Sequence, residues 1–235
     1  MRVFIVHAHA EPQSFNGALT GAARESLEAA GHDVEVSDLY AMRFDPVSDR
    51  RNFTTVKDAG YLKQQLEEMH ATERGGFSPD IAAEMDKLFR CDALVLQFPL
   101  WWFGMPAIMK GWVDRVFAMG RVYGGGRWYT NGVFKGKRAI CSVTIGGPES
   151  MYQPDGLNGD LRQILFPIHH GMLFFTGFTV LEPFLTHQPA RISAEDRAAR
   201  LEAWRNHVLA LDRHEPIQYP PLDAYGPDFR LKRGD

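Results

Sequence analysis

Short, mostly apolar runs alternate along the chain with longer segments in which apolar residues return every three or four positions. Runs of the first kind cover Arg2 to Val6, Val34 to Leu39, Ala93 to Phe98, Arg138 to Thr144 and Phe178 to Leu181, each the length of a strand. The helical spacing appears first from Gly17 to Ala30, where Leu19, Ala23, Leu27 and Ala30 share one side and Gly31 stops the segment. Ser78 and Pro79 have the residue types of an N-cap and a first helical position, and open a second helix through Ile81, Met85 and Leu88 to Phe89. A third runs from Pro106 to Phe117, a fourth from Gly159 to Ile168. A fifth runs from Ser193 to about Leu211, with Ser193 and Asp196 at capping-box spacing. Tyr40 to Gly76 reads as irregular, polar and too long for a plain crossover, the kind of loop that serves a function.

Strands that alternate with helices in this way predict an α/β fold whose parallel sheet is covered on both faces. Five of them suit a flavodoxin-like, doubly wound five-stranded sheet of order 2-1-3-4-5. The 235 residues, 45% of them hydrophobic, suit one domain, 1-212, with the Pro-rich and aperiodic 213-235 as its C-terminal extension. Ala93 to Met109 and Gln163 to Leu181 approach membrane-spanning length without a formal charge. Pro99, Gly104 and Pro106 cut the first, and Pro167, His169, His170 and Gly171 the second, so no membrane span is expected. Only Val3 to Val6 is apolar after Met1 and Arg2, too short for a secretory core. Cys91 and Cys141 lie far apart with no C-x-x-C, which fits a reducing, cytoplasmic location. A net charge of -3, with Arg230, Lys232 and Arg233 as the one basic cluster, argues against a nucleic-acid partner.

In a sheet of this order, ligands bind beyond the carboxyl ends of the strands where the order reverses, between strands one and three. After strand one, Ser14 and Asn16 stand at the start of a helix, where free N–H groups and the dipole suit a phosphate; plain helix capping is the other reading. After strand three, Trp101, Trp102 and Phe103 offer faces for a flat ring, or belong to the core. After strand four, Gly146 and Gly147 let the backbone approach a ligand closely, or make a tight turn. The three unusual loops coincide at the three strand ends that the topology singles out.

These loops carry further matches. Ala8-His9 with Ser14-Phe15-Asn16, Ser37 to Met42, Ser78-Pro79-Asp80-Ile81, Gln97-Phe98-Pro99-Leu100, Trp102-Phe103-Gly104, Pro106-Ala107-Ile108, Lys110-Gly111-Trp112, Ser150-Met151-Tyr152, Gly159-Asp160 and Leu181-Glu182-Pro183 resemble the NAD(P)H:quinone oxidoreductases of the DT-diaphorase type over nearly the whole chain. The resemblance implies FAD, with FMN the lesser candidate, held by His9, Gln13, Ser14, Phe15, Asn16, Pro99, Leu100, Trp101, Trp102, Phe103, Thr144, Ile145, Gly146, Gly147, Tyr152 and Arg197. It implies NAD(P)H as co-substrate and a homodimer with shared active sites, in which Trp102, Phe103, Tyr123, Trp128, Phe178 and Phe229 meet the quinone. Core packing is the alternative for Phe178, and an ordinary surface arginine for Arg197.

No G-x-G-x-x-G is present, so nicotinamide must meet the flavin directly and the quinone must use the same slot in turn. Charge at the flavin edge then falls to Gly146 and Gly147 N–H groups, the Tyr152 hydroxyl and Asn158. Asn158 stands where the family usually has histidine, as in the branch that prefers dihydronicotinamide riboside, which opens the choice of nicotinamide donor. The resemblance extends to a metal-binding variant of that branch with two histidines four apart and a distant cysteine, but His170 is followed at that spacing by Phe174, so no metal site is expected. Gly125 replaces a family aromatic, and Lys63, Gln64 and Gln65 all lie near a glutamine that the family lends to its partner chain. A flavin-bearing regulatory or redox-sensing subunit is the competing function, and a short acidic FMN electron carrier fits less well.

Overall fold

Alternation along the central strands decides the layers. In β1 (Arg2–His7), Val3 and Ile5 pack on one side and Phe4 and Val6 on the other; in β3 (Ala93–Pro99), Ala93 and Val95 oppose Leu94, Leu96 and Phe98. A strand that buries both faces needs helices on both. α1 (Phe15–Ala29) and α6 (Ala194–Val208) cover one face through Leu19, Leu27, Trp204 and Val208. α3 (Pro79–Arg90), α4 (Ala107–Val116) and α5 (Leu161–Ile168) cover the other through Ile81, Met85, Trp112 and Leu165. This computed structural model describes residues 1–232, so Arg233 of the expected basic cluster lies outside the described residues.

All strand pairs are parallel, and the order is β2 (Asp33–Asp38), β1, β3, β4 (Arg138–Ile145), then the fifth position, as expected. That fifth position corrects one detail. Phe178 to Leu181 contributes only β5 (Thr179–Val180) against Arg138 and Ala139, and β6 (Phe184–His187) resumes the pairing against Ser142 to Ile145. Pro183 interrupts between them, since it has no N–H for the ladder. The register puts His187 opposite Ile145, at the carboxyl end of the sheet.

A second correction concerns 40–76, which is not wholly irregular. α2 (Gln64–Arg74) forms within it and ends on Gly75 in the left-handed conformation. Its buried face joins Ala71 to two carboxylates: Glu67 accepts from the Lys57 and Asp58 amides at 2.8 and 2.9 Å and Glu68 from the Met119 amide at 2.6 Å. A third difference lies after α5. Pro167 sits inside that helix without an N–H, and the chain then widens into a π-type turn, His169–Phe174.

Candidate active site

The three strand-end loops meet at one open cleft of about 770 Å³. From the β1 loop it takes His9, Gln13, Ser14, Phe15 and Asn16; from the β3 end, Pro99, Leu100 and Trp101; from the β4 end, Thr144, Ile145 and Gly146. Its far wall is α6, where Ala194, Arg197, Ala198 and Leu201 face it together with Pro189 and Ala190. Trp102, Phe103, Gly147, Tyr152 and Asn158 do not line this cleft.

Each wall is built by local chemistry. Ser14 caps α1 by accepting from the Gly17 amide at 3.1 Å, which leaves other first-turn N–H groups without a partner inside the helix. Gly17 is required there, because a Cβ would lie 2.1 Å from the Pro12 carbonyl oxygen. Asn16 is buried and ties the three loops to one another. Its amide donates to Thr144 Oγ1 at 2.8 Å and its carbonyl accepts from Gln97 Nε2 at 2.9 Å. Asn16 therefore shapes the cleft while its own polar atoms are occupied. His9 Nδ1 lies 3.0 Å from the Glu11 amide nitrogen and 3.2 Å from the Glu11 carbonyl oxygen, so Glu11 holds the ring through that one nitrogen.

Trp102 and Phe103 make the most strained turn near the site. Trp101 and Gly104 exchange backbone hydrogen bonds of 3.0 Å in both directions, which closes a two-residue turn. Both central residues are left-handed, with φ of 50° and 60°, where glycine and asparagine are the usual occupants. The cost is about 1 to 3 kcal/mol for each, and strain of this kind gathers at binding sites. The turn holds Trp102 98% exposed and Phe103 51% exposed, so neither belongs to the core.

Beside the cleft, after β4, the Tyr152 ring lies over Gly147. A Cβ there would come 3.1 Å from Tyr152 Cε2, so glycine is needed for the close approach. His187 joins this group. Its Nδ1 is 3.2 Å from the Gly147 carbonyl oxygen and its ring centroid 5.9 Å from that of Tyr152. Tyr152 and His187 line a separate groove with Glu149, Asp160 and Arg162. Asn158 is half-buried on the same loop and its backbone N–H donates to the Met151 carbonyl at 2.8 Å.

Arg197 is half-buried, not an ordinary surface arginine. Its guanidinium donates to the Ile192 carbonyl at 2.7 Å, on the α6 wall of the cleft. Small side chains and Leu201 recur at helical spacing along that face of α6. This face was legible only through Arg197, because its alanines give no chemical signal.

The substrate aromatics fall elsewhere, and one is overturned. Phe178 is 1% exposed and packs on Phe134 with ring centroids 4.6 Å apart, so it belongs to the core and meets no substrate. Phe175 is the ring that meets Tyr123, at 5.8 Å, and Tyr129, at 5.3 Å. Among the glutamines, Gln65 reaches the Tyr123 hydroxyl at 3.4 Å, whereas Gln64 turns to Ser48 and Glu68. Phe229 is 84% exposed and shares a cavity of about 320 Å³ with Tyr129, His170 and Phe174. Trp128 is half-buried at the start of the same aromatic surface. Tyr123, Trp128 and Phe229 do not line the cleft of their own chain.

Fold and strand-end cleft together define a flavodoxin-like α/β protein, and the model of the flavodoxin-like fold matches residues 1–208. The chain belongs to the NAD(P)H:quinone oxidoreductase, DT-diaphorase-like, family. It is 41% identical over 230 residues to NAD(P)H dehydrogenase [quinone] 1 of Cavia porcellus, covering 97% of this chain and 84% of that one. It is 40% identical over 217 residues to the human ribosyldihydronicotinamide dehydrogenase [quinone], covering 92% and 94%. A Klebsiella pneumoniae crystal structure, provisionally named a quinone reductase, superposes with a TM-score of 0.95 at 42% identity over 99% of this chain and 94% of that one.

Proposed function

We propose that this protein is an FAD-dependent NAD(P)H:quinone oxidoreductase that passes two electrons from nicotinamide to quinone by a ping-pong route. The observation that carries this reading is the cleft, which runs from the α1 N-terminus past the β3 and β4 ends to Arg197 on α6. A mononucleotide would use the part near Ser14. The α6 wall, with Ala194, Arg197 and Ala198, offers surface for the adenosine half of a dinucleotide.

The residues present fit such a group. First-turn N–H groups of α1 suit the pyrophosphate, and the His9 ring lines the cleft beside them. Beneath Asn16, buried Gln97 Oε1 has no partner among the described residues. When bound, the flavin supplies the hydride acceptor and donor. The chain's own work is to hold two flat reactants in turn on Trp102 and Phe103, and to stabilise charge through the Gly147 and Tyr152 edge. Tyr123, Trp128 and Phe229 stand apart from this cleft, so they serve the site of a second copy, which makes the working unit a homodimer. The exposed Trp102 face supports the same reading.

Three measurements test it. Mass spectrometry of the released cofactor should give FAD, and FMN alone at full occupancy would remove the dinucleotide reading. Steady-state assays with NADPH, NADH and dihydronicotinamide riboside should show quinone reduction far above free flavin; turnover no faster than free flavin would favour a redox-sensing subunit. Light scattering should report about twice the 26.6 kDa chain mass, and a fully active monomer would exclude shared sites.

A further inference from the structure

Asn158 takes proton chemistry out of its own position, because an amide does not titrate in the neutral range. The groove beside Tyr152 nevertheless contains one imidazole. His187 ends β6, and its position follows from strand register, not from proximity in sequence. Pairing with Ile145 carries it to the β4 end, and the next residue, Gln188, turns left-handed with φ of 50° and donates its amide to the Ile145 carbonyl at 2.6 Å. The strand stops there, and the ring is fixed over the β4 loop.

The partner of Nδ1 is a carbonyl oxygen, which can only accept. Nδ1 therefore carries hydrogen in both charge states of the ring, and Nε2 is the nitrogen that gains or loses a proton. The charged groups around the groove are otherwise engaged or displaced. Asp160 caps α5 by accepting from the Arg162 amide at 2.9 Å, Arg162 reaches Glu182 at 3.0 Å, and Glu149 is exposed. Tyr152 and His187 are left as the pair of proton-bearing rings in contact with Gly147.

Resting on the function proposed above, we infer that His187 is a positioning and proton-supplying residue that acts through Tyr152 at the site of hydride transfer. Hydride delivery brings two electrons and one hydrogen and leaves negative charge at the edge beside Tyr152. The proton that neutralises it starts on Nε2 of the His187 imidazolium. The Tyr152 hydroxyl gives up its own proton toward that charge and is resupplied from Nε2 through water in the groove of about 430 Å³ that both rings line, so His187 ends neutral and regains a proton from solvent. In the second half-reaction the hydride and a proton leave together for the quinone, which becomes a hydroquinone. The same ring also fixes the Gly147 carbonyl, so His187 sets both the position and the charge of the Tyr152 edge.

The test uses the purified holoprotein and two readouts. Stopped-flow reduction by NAD(P)H between pH 5.5 and 8.5 should slow by about tenfold or more as pH rises, the scale of a general acid that is being lost. His187→Gln keeps a donor for the Gly147 carbonyl without a neutral-range proton, and should flatten this profile while retaining the cofactor. Independently of turnover, the His187 Cε1–H proton resonance, identified by its loss in that variant or its ring-current shift in Tyr152→Phe, should titrate about one pH unit higher in dithionite-reduced protein than in oxidised protein. A flat parent profile, a slope that survives in His187→Gln, or one titration midpoint in both redox states would overturn the role of His187 alone. A purified protein without flavin, or without quinone turnover, overturns the proposed function first and this inference with it.

Discussion

Glu84 and Asn16 are both buried polar residues on helices packed against the sheet, yet their surroundings are completed to different degrees. Glu84 on α3 has no exposure and accepts from Trp112 Nε1 at 2.8 Å, Ser37 Oγ at 2.9 Å and Lys87 Nζ at 2.7 Å. Every polar atom in that cluster has a partner within the chain. Asn16 holds Thr144 and Gln97, but Gln97 Oε1, Ser142 Oγ and Thr186 Oγ1 in and around the same strands are buried without a partner among the described residues. A few residues away stands the left-handed Trp102-Phe103 turn. The contrast separates two kinds of polar surroundings: around Glu84 the chain closes its hydrogen bonds, and beneath the cleft it leaves buried polar atoms unpaired next to a strained turn.

The largest effect should come from breaking the completed cluster. Glu84→Ala leaves the Lys87 ammonium and the Trp112 N–H without their acceptor, and should cost about 3 to 5 kcal/mol. Urea unfolding should show this as a lower midpoint at unchanged slope. A loss below about 1 kcal/mol would mean that the cluster is not the stabilising region, and the comparison fails.

Acid sensitivity sharpens the same contrast. Burial pushes the His169 imidazole down to about 4, and its Nε2 has no partner among the described residues. The unfolded chain therefore binds the proton more readily below about pH 6.5, the ordinary imidazole value. Stability should be full above that pH, fall as pH drops toward 4, and level off below, for a total of about 3 kcal/mol. His169→Leu should remove most of this slope in pH-dependent unfolding. Because it belongs to the fold, the slope should leave the pH profile of flavin reduction unchanged above pH 5.5.

Tyr152→Phe should act on the other region only. A hydrogen bond to developing charge is worth roughly 1.5 to 3 kcal/mol, so reduction should slow about ten- to a hundredfold while the unfolding midpoint stays put. Asn158→His should add a second neutral-range titration on the same loop. Reduction at the parent rate in Tyr152→Phe would remove this edge from the chemistry.

Much of this was legible in the residues, for identifiable reasons. β1, β3 and β4 bury both faces and so read as apolar runs, and their order fixed which loops to inspect before any contact was known. Features governed by distant partners were not legible. α2 buries Glu67 and Glu68 against backbone amides, so it lacks an apolar stripe. Phe178 came from the resemblance alone, and only its packing on Phe134 shows that it belongs to the core. His187 was missed because its place depends on a register that resumes only after Pro183. Where a side chain's neighbours come from its own segment the pattern reveals it, and where they come from across the sheet it does not.

The smallest effect, and the one that most directly opposes stability to use, should come from the strained turn. Replacing Trp102 with Asn and Phe103 with Gly gives the turn the pair that left-handed geometry favours. Removing the strain should raise stability by about 1 to 2 kcal/mol, while Glu84 and its partners are untouched. The same change deletes two aromatic faces, each worth about 0.5 to 1.5 kcal/mol of stacking, so kcat/KM for a small quinone should fall about tenfold. Differential unfolding and quinone kinetics on the double variant read the two signs separately. If stability falls instead, the φ values of 50° and 60° are relieved by packing and store no strain. If stability rises and turnover is unchanged, the aromatics are held out for something other than the substrate, and the strand-end region loses its claim to be built for catalysis.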